Sequence, residues 1–350
     1  MSSLLIMAFL VSLLVNIFFI IFSNKKGIFI DDINKSHGSH KIPTPRIGGF
    51  GIYLSFGIFS LFVSETALLV WISTLPVFLT GLWEDLKGNI SPKKRMVMMS
   101  FGVLLSIILL KTLVYDISIT ELPIIAAIPF TIFAVVGVTN AVNMVDGYNG
   151  LASGLILSSL FIMLLLIIDL KDYELATVIS ILISSILGFF ILNFPFGKIF
   201  LGDSGAYTLG FIYGIISLLL LQRHEEISPW FPVVLLSYPI TDVLFAILRR
   251  TFIQGTSPFS PDKLHFHSLI YKKVTKNNPL TSVFIILLSL PFGLVSLNFV
   301  SDDLYLFYVF ISFASLYIVI YFLLVKKEEL RMYKKKLDSR IENKQFQEML

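Results

Sequence analysis

The 350-residue chain contains no cysteine, which excludes disulfides, thiolate nucleophiles and thiolate metal sites. Redox chemistry carried by the protein's own thiols goes with them. Charge is scarce as well, since Asp, Glu, Lys and Arg make up 14% of the chain against 56% apolar residues. That much apolar surface cannot be hidden in one soluble core of this size, so the chain reads as an integral membrane protein. Short-period repeats, low-complexity tracts and a separate soluble domain are also lacking.

Eleven apolar runs fill most of the sequence, at 3–22, 47–63, 67–83, 96–113, 122–139, 151–168, 175–192, 205–221, 227–248, 280–299 and 304–325. Most approach the ~20 residues that a helix needs to cross the hydrocarbon. A β-barrel would show alternating segments of about ten residues, whereas Leu155 to Ile168 does not alternate. The expectation is therefore an all-α integral membrane protein, a polytopic bundle of about 11 transmembrane helices. The first run ends at Ser23-Asn24-Lys25-Lys26 without a small-residue cleavage pattern, and it reads as a retained span.

When the connections are assigned alternately to two sides, all but Lys111, Lys171 and Arg223 of the 27 Lys and Arg residues fall in one set. The positive-inside rule then places the N-terminus outside and the C-terminus in the cytoplasm. Residues 1–325 form one membrane domain with cytoplasmic loops at 24–46, 84–95, 140–150, 193–204 and 249–279, and 326–350 form a basic cytoplasmic tail. The net charge of +4 calls for no nucleic acid, because basic loops sit well beside anionic headgroups.

The unusual polar clusters share that cytoplasmic set. Asn140, Asn143, Asp146 and Asn149 recur every three residues in Asn-Ala-Val-Asn-Met-Val-Asp-Gly-Tyr-Asn-Gly. This spacing keeps neighbours near one helical face and suits a hard cation or a polar ligand, though such residues also cap and glue helix ends. Asp203 stands between two glycines in Phe-Gly-Lys-Ile-Phe-Leu-Gly-Asp-Ser-Gly, with Lys198 supplying a nearby positive charge. An acid at the mouth of a span is expensive without a partner. Glu84 and Asp85 are adjacent where the third run ends, and two neighbouring acids can divide a metal-holding and a proton-accepting role.

In the 249–279 connection, Arg249 and Arg250 precede Ser-Pro-Phe-Ser-Pro-Asp-Lys-Leu-His-Phe-His. If that stretch is extended, His265 and His267 point the same way. Zinc lacks further ligands at recognisable spacing, whereas imidazoles and Arg beside a pyrophosphate donate to oxygens that gain charge in phosphoryl transfer. Asp242, seven residues before Arg249, is expected to support this loop. His40-Lys41-Ile42-Pro43-Thr44-Pro45-Arg46-Ile47-Gly48-Gly49 forms a rigid entry to the second run, where Lys41 and Arg46 can meet anionic groups or anchor the span. Clusters rich in Asp and Asn without thiolates suit Mg²⁺, with Mn²⁺ as a substitute.

In this order and separation, Thr-Pro-Arg-Ile-Gly-Gly, Asn-Ala-Val-Asn-Met-Val-Asp-Gly, Lys-Ile-Phe-Leu-Gly-Asp-Ser-Gly and Pro-Asp-Lys-Leu-His-Phe-His resemble the polyprenyl-phosphate N-acetylhexosamine-1-phosphate transferases over residues 40–270. The resemblance implies a multi-pass protein of the bacterial cytoplasmic membrane with its site facing the cytoplasm. The implied reaction moves a sugar 1-phosphate from a UDP-N-acetylhexosamine to undecaprenyl phosphate, with Mg²⁺, and releases UMP to start a cell-envelope glycan such as O-antigen or capsule. It further implies that Asp203 and Asn143 hold the metal, Asp146 lines the same pocket, and Glu84 and Asp85 stand where the family has two aspartates. His265 and His267 match its His-rich loop, Lys41 its first-loop lysine, and Asn193 its contact to the base.

Three departures stand out: Glu84 replaces an aspartate, Asn149 stands where many members have aspartate, and Ser268 replaces a third histidine. They point away from the phospho-muramoyl-pentapeptide transferase of peptidoglycan synthesis and toward an accessory glycan. Two other classes compete, a secondary transporter, whose acids belong near the midplane, and an inactive glycan-assembly scaffold. A homodimer is admitted, although no small-xxx-small face singles out an interface. The orientation is testable: a fluorescent reporter fused after residue 325 is expected to fold in the cytoplasm, and a periplasm-dependent phosphatase inserted at Lys171 to be active. The opposite pattern would reverse the topology.

Overall fold

The computed structural model describes residues 2–30, 43–257 and 264–325. Lys41 and the tail at 326–350 lie outside the described residues. The helices are α1 (Ser2–Lys26), α2 (Gly48–Val63), α3 (Glu65–Lys87), α4 (Pro92–Leu110), α5 (Ile124–Val145), α6 (Leu151–Asp169), α7 (Tyr173–Asn193), α8 (Gly202–Arg223), α9 (Trp230–Leu235), α10 (Ser237–Leu248), α11 (Phe266–Ile270), α12 (Asn278–Ser296) and α13 (Asp303–Leu324). Wider π turns follow α10 at Arg249–Gln254 and α11 at Tyr271–Thr275. Among the described residues β pairing is confined to isolated bridges.

Eight of these helices are long and apolar enough to cross a bilayer, and the molecule is an all-α, multi-pass membrane protein. Every apolar run of the sequence is met by helix, but the 227–248 run is broken into α9 and α10 at Leu236. Pro239 supplies the reason, because it has no N–H to return to the carbonyl of Leu235 and its ring crowds that turn. Helix ends also reach further than the apolar runs. α3 continues to Lys87, which puts Glu84 and Asp85 on its last turn, and α5 continues to Val145 through Asn140 and Asn143.

α8 is the axis of the bundle. Every residue from Gly202 to Leu220 is buried, as expected of a helix that is apolar all round. It packs against α2, α3 and α5, while α1 turns Ile6, Leu10, Leu14 and Phe18 outward, where lipid replaces protein. Lipid removes the hydrophobic drive between helices, so close backbone approach has to hold them together. Glycine permits it here: a Cβ on Gly49 would lie 2.2 Å from Gly205 Cα, and one on Gly81 would lie 2.4 Å from Ser204 Cα. The backbones of α2 and α3 thus touch the first turn of α8.

The far end of α8 is tied electrostatically. Arg223 donates to Asp172 at 3.2 Å and to Glu174 at 3.0 Å, at the start of α7. Burial raises the Asp172 carboxyl, but hydrogen bonds from Leu175 N–H, Arg223 and His224 outweigh it and hold the group below its ordinary value.

Gly49→Ala is expected to cost about 1–3 kcal/mol by overpacking the α2–α8 crossing, read as thermal unfolding in detergent. Gly137→Ala, whose added Cβ meets nothing within 4 Å, is the control and is expected to stay within about 0.5 kcal/mol.

Candidate active site

The polar groups gather where α8 begins. Gly202 has φ +76°, and a Cβ there would fall 2.7 Å from Asp85 Oδ2, so only glycine allows the chain to turn this closely past a carboxylate. Asp85, from the last turn of α3, accepts from Asp203 N–H at 2.8 Å, Ser204 N–H at 2.9 Å and the Ser204 hydroxyl at 2.7 Å. A carboxylate supplied by another helix thus caps the positive end of α8. Its side chain is fully buried, and these donors consume it. Expected as a catalytic acid, Asp85 is placed by the structure as the anchor that fixes Asp203.

The segment before α2 lies beside the segment before α8. Phe200 N–H donates to Pro45 O at 2.8 Å, Gly48 N–H to Phe200 O at 2.8 Å, and Gly49 N–H to Leu201 O at 2.9 Å. This pairing delivers Arg46, whose Nη2 is 2.6 Å from Asp203 Oδ1 and whose Nε is 3.5 Å from Asp85 Oδ1. Arg95, from the first turn of α4, approaches the other side. It donates to the Tyr207 hydroxyl at 3.1 Å and lies 3.8 Å from Glu84 Oε1 and 3.9 Å from Asp203 Oδ2. Glu84 Oε2 accepts from Ile90 N–H at 3.0 Å, which leaves Oε1 facing Arg95.

Asp146 follows α5 in the turn that leads to α6. Burial lifts its carboxyl to about 7; Arg46 opposes the rise, and the charges of Asp203 and Asp85 add to it. Glu84, Asp85 and Asp203 thus gather around the Arg46 and Arg95 guanidinium groups, with the Asp146 carboxyl close enough to feel Arg46, Asp203 and Asp85. No three His, Asp or Glu side chains form a metal cage among the described residues. The Asp and Asn oxygens at this end of α8 are the donor type that Mg²⁺ takes beside water and phosphate oxygens. Asp203 is the acid at the mouth, and Asn143 lies on the last turn of α5, three residues before Asp146. Asn140 instead donates to Val136 O within its own helix at 2.8 Å.

Asn193 is saturated inside the protein. Its Oδ1 accepts from Gly150 N–H at 2.6 Å and its Nδ2 donates to Ile199 O at 2.7 Å, so it ties the 146–150 turn to the 196–201 segment. Expected at a nucleotide base, its amide is spent on scaffold. Asn149 donates to Pro195 O at 3.0 Å and its own N–H goes to Asn278 Oδ1 at 2.7 Å, leaving its buried Oδ1 without a protein partner. Lys198 is exposed, 5.9 Å from the centre of the Phe196 ring.

The histidine loop closes the remaining side. A fully buried Asp242 accepts from His265 Nδ1 at 2.7 Å, Tyr317 hydroxyl at 2.8 Å and Phe266 N–H at 3.2 Å. This carboxylate fixes the ring, so His265 Nε2 accepts from Arg250 at 3.2 Å. His267 stacks on His265 with centroids 5.3 Å apart, contacts Tyr238 through Nδ1 at 3.0 Å, and meets the Tyr148 ring. The two histidines do lie side by side, with Asp242 beneath them.

Arg249 is a correction. Expected to meet substrate, it is 1% exposed and donates to Leu264 O and the Tyr321 hydroxyl. The wide π turn that begins at Arg249 accompanies this inward side chain, which makes it a brace between the loop and α13. Arg95, Tyr207 and Ser204 were missed by sequence reasoning. Arg95 sits in the run Lys93-Lys94-Arg95, which reads only as membrane-surface charge until the phase of α4 is known.

Asp85→Asn is expected to destabilise the protein by about 1–3 kcal/mol, since buried donors at the start of α8 lose a charged acceptor. Glu84→Gln is expected to cost under about 1 kcal/mol. Thermal unfolding in detergent compares the two.

The match to known proteins covers these elements. The model for glycosyl transferase family 4 matches residues 67–221. A Bacillus subtilis (strain 168) protein named probable undecaprenyl-phosphate N-acetylglucosaminyl 1-phosphate transferase is 30% identical over 275 residues, 75% of this chain and 76% of its own. The Thermotoga maritima undecaprenyl-phosphate alpha-N-acetylglucosaminyl 1-phosphate transferase is 31% identical over 280 residues, covering 78% and 83%. The Escherichia coli (strain K12) protein of the same name is 31% identical over 279 residues, covering 73% of each. The matched segment holds Glu84, Asp85, Asn143, Asp146, Asn193 and Asp203, and the chain belongs to glycosyl transferase family 4.

Proposed function

We propose that the protein transfers an N-acetylhexosamine 1-phosphate from a UDP-sugar to undecaprenyl phosphate, releasing UMP, at the cytoplasmic face of a bacterial cytoplasmic membrane. The product is the first lipid-linked unit of a cell-envelope glycan. The observation that carries this reading is the convergence of Asp85, Asp146, Asp203, Arg46 and Arg95 on the N-terminus of α8. The relatives' names supply the acceptor lipid and make N-acetylglucosamine the first sugar to test. The basic loops support the cytoplasmic orientation.

In this reading a lipid phosphate oxygen attacks the sugar-bearing β-phosphorus of the donor. The bond from that phosphorus to the bridging oxygen breaks, and the electron pair leaves with UMP. Asp203 and Asn143 would hold Mg²⁺, which when bound neutralises charge on the pyrophosphate oxygens. Asp85 keeps Asp203 in place through the α8 backbone. Glu84 Oε1 orients the incoming phosphate or takes its proton. Arg250 and His267 donate to the pyrophosphate, and His265, held by Asp242 through Nδ1, accepts from Arg250 and sets its direction. Positioning and charge neutralisation account for most of the acceleration.

Detergent-purified protein given undecaprenyl phosphate, Mg²⁺ and UDP-N-acetylglucosamine is expected to release UMP. Omission of either the lipid or the metal stops it, and Asp203→Asn lowers the rate by about 100-fold or more. Folded wild-type protein that releases no UMP from any UDP-N-acetylhexosamine would sink the reading.

A further inference from the structure

We infer that Tyr317, on α13, is a positioning residue for the donor: its hydroxyl sets Asp242, Asp242 sets His265, and His265 aims Arg250 at the pyrophosphate. The inference rests on the reading above that Arg250 meets the donor. It gives a role to a side chain outside residues 67–221, the segment that the family model matches.

The relay has one direction at every joint. The Tyr317 hydroxyl is 2.8 Å from Asp242 Oδ1, His265 Nδ1 is 2.7 Å from Asp242 Oδ2, and Arg250 Nη2 is 3.2 Å from His265 Nε2. A guanidinium can only donate and a carboxylate only accept, so the His265 proton sits on Nδ1 and its Nε2 lone pair faces Arg250. A protonated His265 would turn an N–H against that guanidinium. The orientation passed to Arg250 therefore begins at α13.

Tyr317 is packed so that its hydroxyl keeps one place. The residue is 1% exposed, its ring stacks on Phe266 with centroids 4.6 Å apart, and it meets Phe245 at 5.6 Å. Asp242 accepts from three donors, and two of them, His265 Nδ1–H and Phe266 N–H, belong to the loop that Asp242 has to place. Only Tyr317 brings a donor from another membrane helix. Without that hydroxyl the carboxylate is tied only to the residues it positions, and it can turn with them. A hydroxyl that did no more than satisfy a buried acid would cost stability and leave donor binding alone.

The test titrates UDP, with Mg²⁺ present, into full-length protein in detergent and reads the heat of binding. Tyr317→Phe keeps the packed ring and removes only the hydroxyl. It is expected to weaken UDP about three- to tenfold. In a His265→Phe background, where the relay is already cut, the same substitution is expected to change UDP affinity less than about twofold. In turnover by Tyr317→Phe alone, the KM for UDP-N-acetylglucosamine rises by the factor seen for UDP, while the KM for undecaprenyl phosphate stays within about twofold of wild type.

Unchanged UDP affinity in Tyr317→Phe, an equal loss in both backgrounds, or a lipid KM that rises with the donor KM overturns the relay and leaves the reaction standing. A wild type that releases no UMP yet shows the expected pattern of UDP affinities overturns the reaction and leaves the relay standing. A wild type that does not bind UDP overturns both.

Discussion

The capping of α8 by Asp85 is the interaction on which the site depends. A helix start inside a membrane protein leaves N–H groups that lipid cannot satisfy, and the first residues of α8 are buried. One carboxylate from α3 meets two of those N–H groups and a hydroxyl. In doing so it sets the position of Asp203, which then faces Arg46 and Arg95. Neutralising Asp85 alone would unsettle the helix and the acid together.

Backbone contact makes that cap reachable. The α3 and α2 backbones come close enough at Gly81 and Gly49 to touch Ser204 and Gly205, and the positive φ of Gly202 lets the chain enter α8 beneath Asp85. Side chains larger than hydrogen at these positions would push α3 outward and lengthen the Asp85 contacts. The same economy recurs at the histidine loop, where one buried Asp242 organises His265, Phe266 and Tyr317. Buried acids in membrane helices are costly, and both here are matched by several donors each.

Much of the fold was legible because apolar runs and helix length obey the same bilayer dimension. The polar clusters were legible too, since acids and amides at helix mouths are expensive unless they meet a partner, within the protein or outside it. What stayed hidden depends on helix phase and on tertiary partners. Asp85 reads as a catalytic acid until the N–H groups of another helix are seen to fill it, and Asn193 reads as a ligand contact until Gly150 and Ile199 take its amide. Arg249 and Arg95 exchange roles for the same reason. In sequence both are basic residues in the connections between apolar runs, yet one braces α13 and the other faces Asp203. The break at Leu236 was marked by Pro239, but its neighbours are apolar enough to disguise it as one span.

We propose that the Asp203 carboxylate at the start of α8 is the metal-binding acid of this membrane protein. Anomalous diffraction from crystals soaked in Mn²⁺ tests it most directly. The expected result is a peak against the Asp203 carboxylate, with Asp85 still bonded to the α8 backbone. A strong peak held by other residues, with none at Asp203, would contradict it.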